Sequence, residues 1–181
     1  METNKLKFTK LQAQILSFLC ENVGKELNQS LIAKELNVSS TAIAKALKYL
    51  EKEKIVLTNR NKLMNLNLIE LNRENSLAVH LKRVNNLQAI YESNILKTLE
   101  ENFPGSTIIL FGSYAKGEDT IRSDIDLAII GSKEKTLDLS IFEKSLKREI
   151  VINFYHSFKE INKELKESLF NGIVLYGGIE L

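Results

Sequence analysis

The chain has one cysteine, one proline, two histidines and no tryptophan among its 181 residues. A lone Cys20 excludes an internal disulfide and any cysteine-rich zinc site, and its apolar helix face marks it as core. His80 and His156 stand far apart and in no ligand spacing, so neither zinc chemistry nor a serine or cysteine hydrolase triad has support. No apolar run approaches the roughly 20 residues of a membrane-spanning helix, and METNKLKFTK lacks the apolar stretch of a signal peptide. A cytoplasmic location is the expectation. Repeats and low-complexity tracts are also missing. Hydrophobic residues make up 44% of the chain, which suffices for one large or two small packed cores.

The net charge of +2 conceals an asymmetry. Residues 1–70 carry eleven Lys and Arg against seven acids, whereas residues 71–181 carry fourteen against sixteen. Any nucleic-acid contact is therefore to be sought in the first 70 residues.

Most of the chemistry lies between Leu110 and Ile130, LFGSYAKGEDTIRSDIDLAII. An apolar run ends in Gly112-Ser113, ten turn-prone residues follow, and Asp124-Ile125-Asp126 opens a second apolar run. On a strand, Asp124 and Asp126 leave the same face about 6 to 7 Å apart. Aspartate is disfavoured inside strands, so two of them flanking an isoleucine require a reason. Paired carboxylates suit hard divalent cations, and two Mg²⁺ ions about 3.5 to 4 Å apart can clamp the attacking and leaving oxygens of a displacement. If a strand ends at Phe111 and a helix opens at Ser113, Gly112 lets the backbone approach a ligand while free N–H groups face an anion. Lys116, one turn on, is a candidate phosphate contact; Arg122 is expected to neutralise phosphate or to pair with Glu118 or Asp119. A P-loop is excluded, because Gly117 is followed by Glu118 and Asp119 where that motif needs Lys and Ser or Thr.

Gly-Ser, a spacer of about ten residues and Asp-x-Asp together resemble the DNA polymerase beta-like nucleotidyltransferase superfamily, in its minimal form. The resemblance covers roughly Tyr91 to Leu181. It implies two Mg²⁺ ions held by Asp124 and Asp126, a nucleoside triphosphate (ATP is the one expected) held at Gly112 and Ser113, and transfer of a nucleoside monophosphate with release of pyrophosphate. It also implies a third carboxylate on a later strand, for which Arg148–His156 is the candidate. Counting back from NGIVLYG aligns that acid with Asn153, which has no carboxylate to accept a proton. Glu149 shares its face but lies four residues earlier, about 13 Å away. A rival reading follows: a nucleotide-binding, antitoxin-like regulator without turnover.

Upstream, Leu11, Ile15, Phe18 and Leu19 have helical spacing that ends near Gly24. Asn28 is a candidate N-cap for a helix to Leu36 with Leu31, Ile32 and Leu36 inward, and Ser39 or Ser40 for a third helix to Lys52. Ile55–Thr58 and Leu63–Leu68, joined by a turn over Asn59–Lys62, read as a hairpin. Three helices and a two-stranded wing resemble the winged helix-turn-helix family over Phe8 to Leu71, in which the third helix enters the major groove of DNA. That resemblance implies DNA contacts at Ser40, Thr41, Lys45 and Lys48, with Arg60 and Lys62 at the wing tip.

Between these regions, Glu74–Asn102 is expected to be helical, with Leu77, Leu81, Val84, Tyr91, Ile95 and Leu99 forming the core-facing or subunit-facing stripe and a break at Asn85-Asn86. Strands are expected near 107–111, 125–130, 149–155 and 173–176, and helices near 113–117, 138–148 and 158–170. The expected organisation is thus α+β: a winged helix-turn-helix over 1–71, a helical linker over 72–90 and a small mixed α/β nucleotidyltransferase domain over 91–181. A protein partner or a homodimer is a further expectation.

Overall fold

The computed structural model describes residues 7–61 and 66–179. Lys62, assigned above to the wing tip, lies outside the described residues. The chain divides into two compact units, Met1–Val79 and His80–Leu181.

In the first unit, helix α1 spans Lys10–Glu21, α2 Gln29–Glu35 and α3 Ser40–Lys52, followed by strands β1, Val56–Asn61, and β2, Leu66–Leu71. Each helix starts where a side chain satisfies a first-turn amide. Thr9 accepts from Gln12 N while the Gln12 side chain accepts from Thr9 N, a capping box; Asn28 accepts from Leu31 N and Ser39 from Ala42 N. Such caps contribute about 1 kcal/mol each. Ile15, Leu19, Cys20, Ile32, Ile43 and Leu50 form the interior, whereas Leu31 turns outward rather than inward. The two strands pair antiparallel, giving the winged helix-turn-helix arrangement. Strand β1 runs further than expected: Asn59 and Arg60 face Leu68 and Asn67 across the ladder instead of forming the turn. The Asn59 amide donates to Glu70 Oε1 at 2.7 Å, which favours continued pairing over reversal.

In the second unit, helix α4 spans Ser76–Glu92, beginning just inside the first unit, and α5 spans Ile95–Asn102. The chain does not break at Asn85-Asn86; it breaks at Ser93-Asn94, where Asn94 adopts φ 62° and the Ser93 hydroxyl bonds back to Ile90 O. Strand β3, Thr107–Phe111, leads straight into a short helix α6, Gly112–Lys116, and β4 spans Ile125–Ile130. Helix α7, Ser140–Leu146, is shorter than expected because Lys147 turns to φ 55°, and β5 spans Ile150–Tyr155. A 3₁₀ turn at Phe158–Glu160, an extended and buried Ile161, then α8, Lys163–Phe170, replace the single helix expected over 158–170. Strand β6, Ile173–Tyr176, ends the fold.

The sheet order is β5-β4-β3-β6, with β5 parallel to β4 and the other pairings antiparallel. Ile108, Leu110, Ile125, Leu127, Ile129 and Ile150 pack on one face with Ile90, Ile95, Leu99 and Phe103. Ile109, Phe111, Ala128 and Ile130 pack on the other with Phe158, Ile161 and Leu169. Both faces are covered, so β3 and β4 read as continuous apolar runs rather than as alternating ones. Asp124 and Asp126 fall, by alternation, on the face of Ala128 and Ile130.

Candidate active site

Asp126 is the last partner of β3, directly opposite Phe111, so its side chain arrives over the residue that follows, Gly112. Gly112 has φ +71°, and a Cβ built there would overlap Asp126 Oδ2 and stand 3.0 Å from Asp126 Cγ. Glycine is thus required twice, by backbone conformation and by the approach of the carboxylate. The Phe111 side chain gives α6 no cap, so the first-turn amides beside Ser113 have no capping side chain. Asp124 is exposed and Asp126 half-buried. Burial, and secondly the charge of Asp124, raise the Asp126 carboxyl above its ordinary 3.8.

The intervening loop is tightly tied. Glu118 N donates to Ser113 O at 2.9 Å, Thr120 N to Ser123 Oγ at 3.0 Å and Arg122 N to Thr120 Oγ1 at 3.3 Å. Ser123 thereby closes the turn that delivers Asp124. Lys116 is exposed at the end of α6, and Arg122 is exposed on the loop. Arg122 does not take Asp119 as its partner. Asp119 is wholly buried and pairs with Lys82 Nζ at 2.7 Å, itself 1% exposed. Asn86 Nδ2 donates to Asp119 Oδ1 at 2.7 Å and to Tyr114 O at 2.9 Å, and Arg148 Nη2 lies 3.7 Å from Asp119 Oδ2.

This polar cluster escaped the sequence reading. Helix α4 presents Lys82, Asn86 and Ile90 to the interior, while Val84 and Tyr91, assigned above to the core-facing stripe, are 63% and 49% exposed. Lys82 and Asn86 at i and i+4 on the line of Ala78 and Ile90 were the available signal; the more continuous apolar stripe on a neighbouring face obscured it.

Pairing of β4 with β5 places the third-acid candidates. Ile125 N donates to Glu149 O at 2.8 Å, and the ladder then sets Ile125 beside Ile150, Asp126 beside Val151 and Ala128 beside Asn153. Glu149 is therefore the lateral neighbour of Asp124, Val151 that of Asp126, and Asn153 sits a further 6 to 7 Å along the strand. The β5 position that faces Asp126 is thus occupied by Val151, and Asn153 faces Ala128. Among the described residues no group of three or more His, Cys, Asp or Glu gathers as a metal site, so the carboxylates beside the glycine remain a pair. Alongside Asp124 a cavity of about 550 Å³ opens, lined by Arg122, Ser123, Glu143, Lys147, Arg148 and Glu149. Glu143 Oε1 accepts from Ile150 N at 3.1 Å and fixes the start of β5.

In the first unit Ser40, Thr41, Lys45 and Lys48 are all exposed on α3, and Arg60 is exposed on β1. Ser40 is the first residue of its helix rather than the cap, and its carbonyl accepts from Gln29 Nε2 at 2.7 Å.

Residues 92–176 match the family model of the nucleotidyltransferase domain. A Methanocaldococcus jannaschii protein named "Putative protein adenylyltransferase" is 34% identical over 98 residues, which cover 53% of this chain and 88% of that protein. The chain belongs to the nucleotidyltransferase family. A second protein of that name from the same organism is 30% identical, covering 36% of this nucleotidyltransferase and 80% of the relative. Among solved structures, the zinc-responsive MarR family member ZitR of Lactococcus lactis is similar at 25% identity and a TM-score of 0.39, over 56% of this chain and 64% of ZitR. The adhesin competence repressor AdcR of Streptococcus pyogenes is similar at 26% identity and a TM-score of 0.42, over 54% of this chain and 69% of AdcR. This chain therefore spans slightly less than two thirds of ZitR.

Proposed function

We propose that the second unit transfers the nucleoside monophosphate of a nucleoside triphosphate, ATP first among them, to a hydroxyl of a protein or nucleic acid, and that the winged-helix unit directs it to DNA. The observation that carries this reading is the Asp126 carboxylate lying over a left-handed Gly112, with Asp124 next on the same face. Two carboxylates held together, one with its proton affinity raised by burial and by the other, fit a divalent cation. Mg²⁺ bound there supplies positive charge to the phosphates and lowers the cost of developing negative charge on the oxygens. Asp124 and Asp126 hold it, Gly112 and Ser113 receive the distal phosphates with their amides, and Lys116 adds a point charge. The acceptor oxygen attacks the α-phosphorus in line, the bond to the bridging oxygen breaks, and pyrophosphate leaves. Glu149, beside Asp124, is the carboxylate that takes the acceptor proton. The names of the two Methanocaldococcus relatives favour a protein hydroxyl as acceptor.

Incubation of the chain with each labelled triphosphate, Mg²⁺ and cell extract tests the reading. Label on a macromolecule, lost in Asp124→Ala and Asp126→Ala, is the expected result; no label from any nucleotide would sink it.

Val151 beside Asp126 favours a second reading, a DNA-binding regulator that holds nucleotide without turning it over. Binding of ATP and Mn²⁺ without any transfer would establish that reading instead.

A further inference from the structure

Among the described residues of the nucleotidyltransferase unit Asp119 is the most enclosed charge, and none of the steps above uses it. It is 0% exposed and its partner Lys82 is 1% exposed; Asp119 lies five residues before Asp124 and three after Lys116. Removing two charges from water costs several kcal/mol per ion, and apolar residues of equal volume commonly stabilise a core as well or better. A pair of this kind is therefore poorly explained as a stability device alone. What it does have is position.

Asp119 follows α6 by two residues beyond Gly117 and precedes Asp124 by five. Its Oδ1 receives both Lys82 Nζ at 2.7 Å and Asn86 Nδ2 at 2.7 Å. The same Asn86 amide donates to the Tyr114 carbonyl at 2.9 Å, inside α6. One helix, α4, thus ties together α6, which carries the Gly112–Ser113 turn, and Asp119, in the first half of the loop that leads to the carboxylates. Arg148 Nη2, 3.7 Å from Asp119 Oδ2, brings in the residue before Glu149 at the start of β5. Phosphate amides, paired aspartates and the neighbouring glutamate are all registered to one buried carboxylate.

We infer that Asp119, held by Lys82 and Asn86, is a positioning residue that sets the spacing between the Gly112–Ser113 turn and the Asp124–Asp126 pair. The inference rests on the functional reading above for its consequence, and on the contacts alone for its geometry. Shells of this kind behind metal ligands typically carry about 10- to 100-fold in metal affinity.

The test uses the full chain in two variants. Asn86→Ala leaves the ion pair in place but removes the bonds to Asp119 Oδ1 and to Tyr114 O; Lys82→Met with Asp119→Leu replaces the pair by apolar groups, while Arg148, which loses Asp119 as a neighbour, keeps its bond to Lys147 O. A Leu99→Ala variant, in the same unit's core, serves as a control for general loss of stability. Amide hydrogen exchange over Gly117–Asp124 is measured without nucleotide or metal, and Mn²⁺ affinity is measured separately. Exchange faster by about tenfold or more, and Mn²⁺ bound about tenfold or more weakly, in both variants but not in Leu99→Ala, is expected. Loop exchange in both variants equal to that of Leu99→Ala overturns the inference. A wild-type chain that binds no Mn²⁺ counts against the functional reading, while loop exchange still decides the positioning role.

Discussion

Val151 stands beside Asp126 across the parallel β4–β5 ladder, on the same face of the sheet. At a strand spacing of about 4.8 Å, a carboxylate at that position would share a cation with Asp126. An isopropyl group does not, and Glu149, the residue before β5, is displaced to the side of Asp124. Val151→Asp is therefore expected to tighten Mn²⁺ binding and to raise the rate of label transfer by about tenfold or more, since a placed base contributes 10²- to 10⁴-fold. Glu149→Gln should lower the wild-type rate. A Val151→Asp protein that folds yet transfers no faster would show that the pair and Glu149 already suffice.

Gly112→Ala meets two obstacles. Its φ of +71° costs an alanine roughly 1 to 2 kcal/mol. The new methyl group also overlaps the Asp126 carboxylate, so that side chain must leave its place. The variant is expected to melt several degrees lower and, unlike a surface Gly105→Ala, whose added Cβ would meet nothing within 4 Å, to lose Mn²⁺ and ATP binding. Calorimetric titration of both variants with Mn²⁺ and ATP reads the difference.

Patterns with a local cause were legible in the sequence, and those with a distant cause were not. Asn28 and Ser39 cap their helices as their residue types indicate, and the apolar runs around Leu110 and Leu127 form the central strands. Gly112, Ser113, Asp124 and Asp126 are recognisable because one short segment contains them all. Partner choice across the chain is a different matter. Lys82 and Asp119 lie 37 positions apart, and nothing near Lys82 announces that a buried carboxylate awaits it. Likewise the β4–β5 register depends on where the turn after α7 ends, at Lys147 with φ 55°, so the identity of the residue facing Asp126 emerged only in three dimensions.

The raised proton affinity of Asp126 has a sign that can be checked. Between its ordinary 3.8 and its higher folded value, the folded chain holds more protons than the unfolded chain. Stability therefore falls as pH rises through that window, and the metal-free protein carries the full penalty at neutral pH. Asp126→Asn should raise the melting temperature of the metal-free protein at pH 7.5 and change it less at pH 4. Mn²⁺ should stabilise the wild type and reverse the order. Equal melting shifts for Asp126→Asn at both pH values would contradict the assignment.

The winged-helix unit yields a prediction that does not depend on catalysis. Lys45 and Lys48 are exposed on the outer side of α3, whose inner side is Ile43, Ala46, Leu47 and Leu50, and Arg60 is exposed on β1. If α3 lies in the major groove, each of these cations that meets a phosphate releases a counterion, contributing about 0.9 to the slope of log affinity against log salt. Lys45→Ala with Lys48→Ala should weaken binding to genomic fragments and flatten that slope by up to about 2, leaving the melting temperature nearly unchanged because neither side chain is buried. Arg60→Ala should reduce the slope by up to about 1 on the same scale. Ser40 and Thr41, at the start of α3, carry no charge and should change sequence preference without changing the slope. Binding that is absent, or independent of salt, would instead assign this face to a protein surface, and the same lysine variants in a pull-down against the acceptor of the transferred label would then be the decisive measurement.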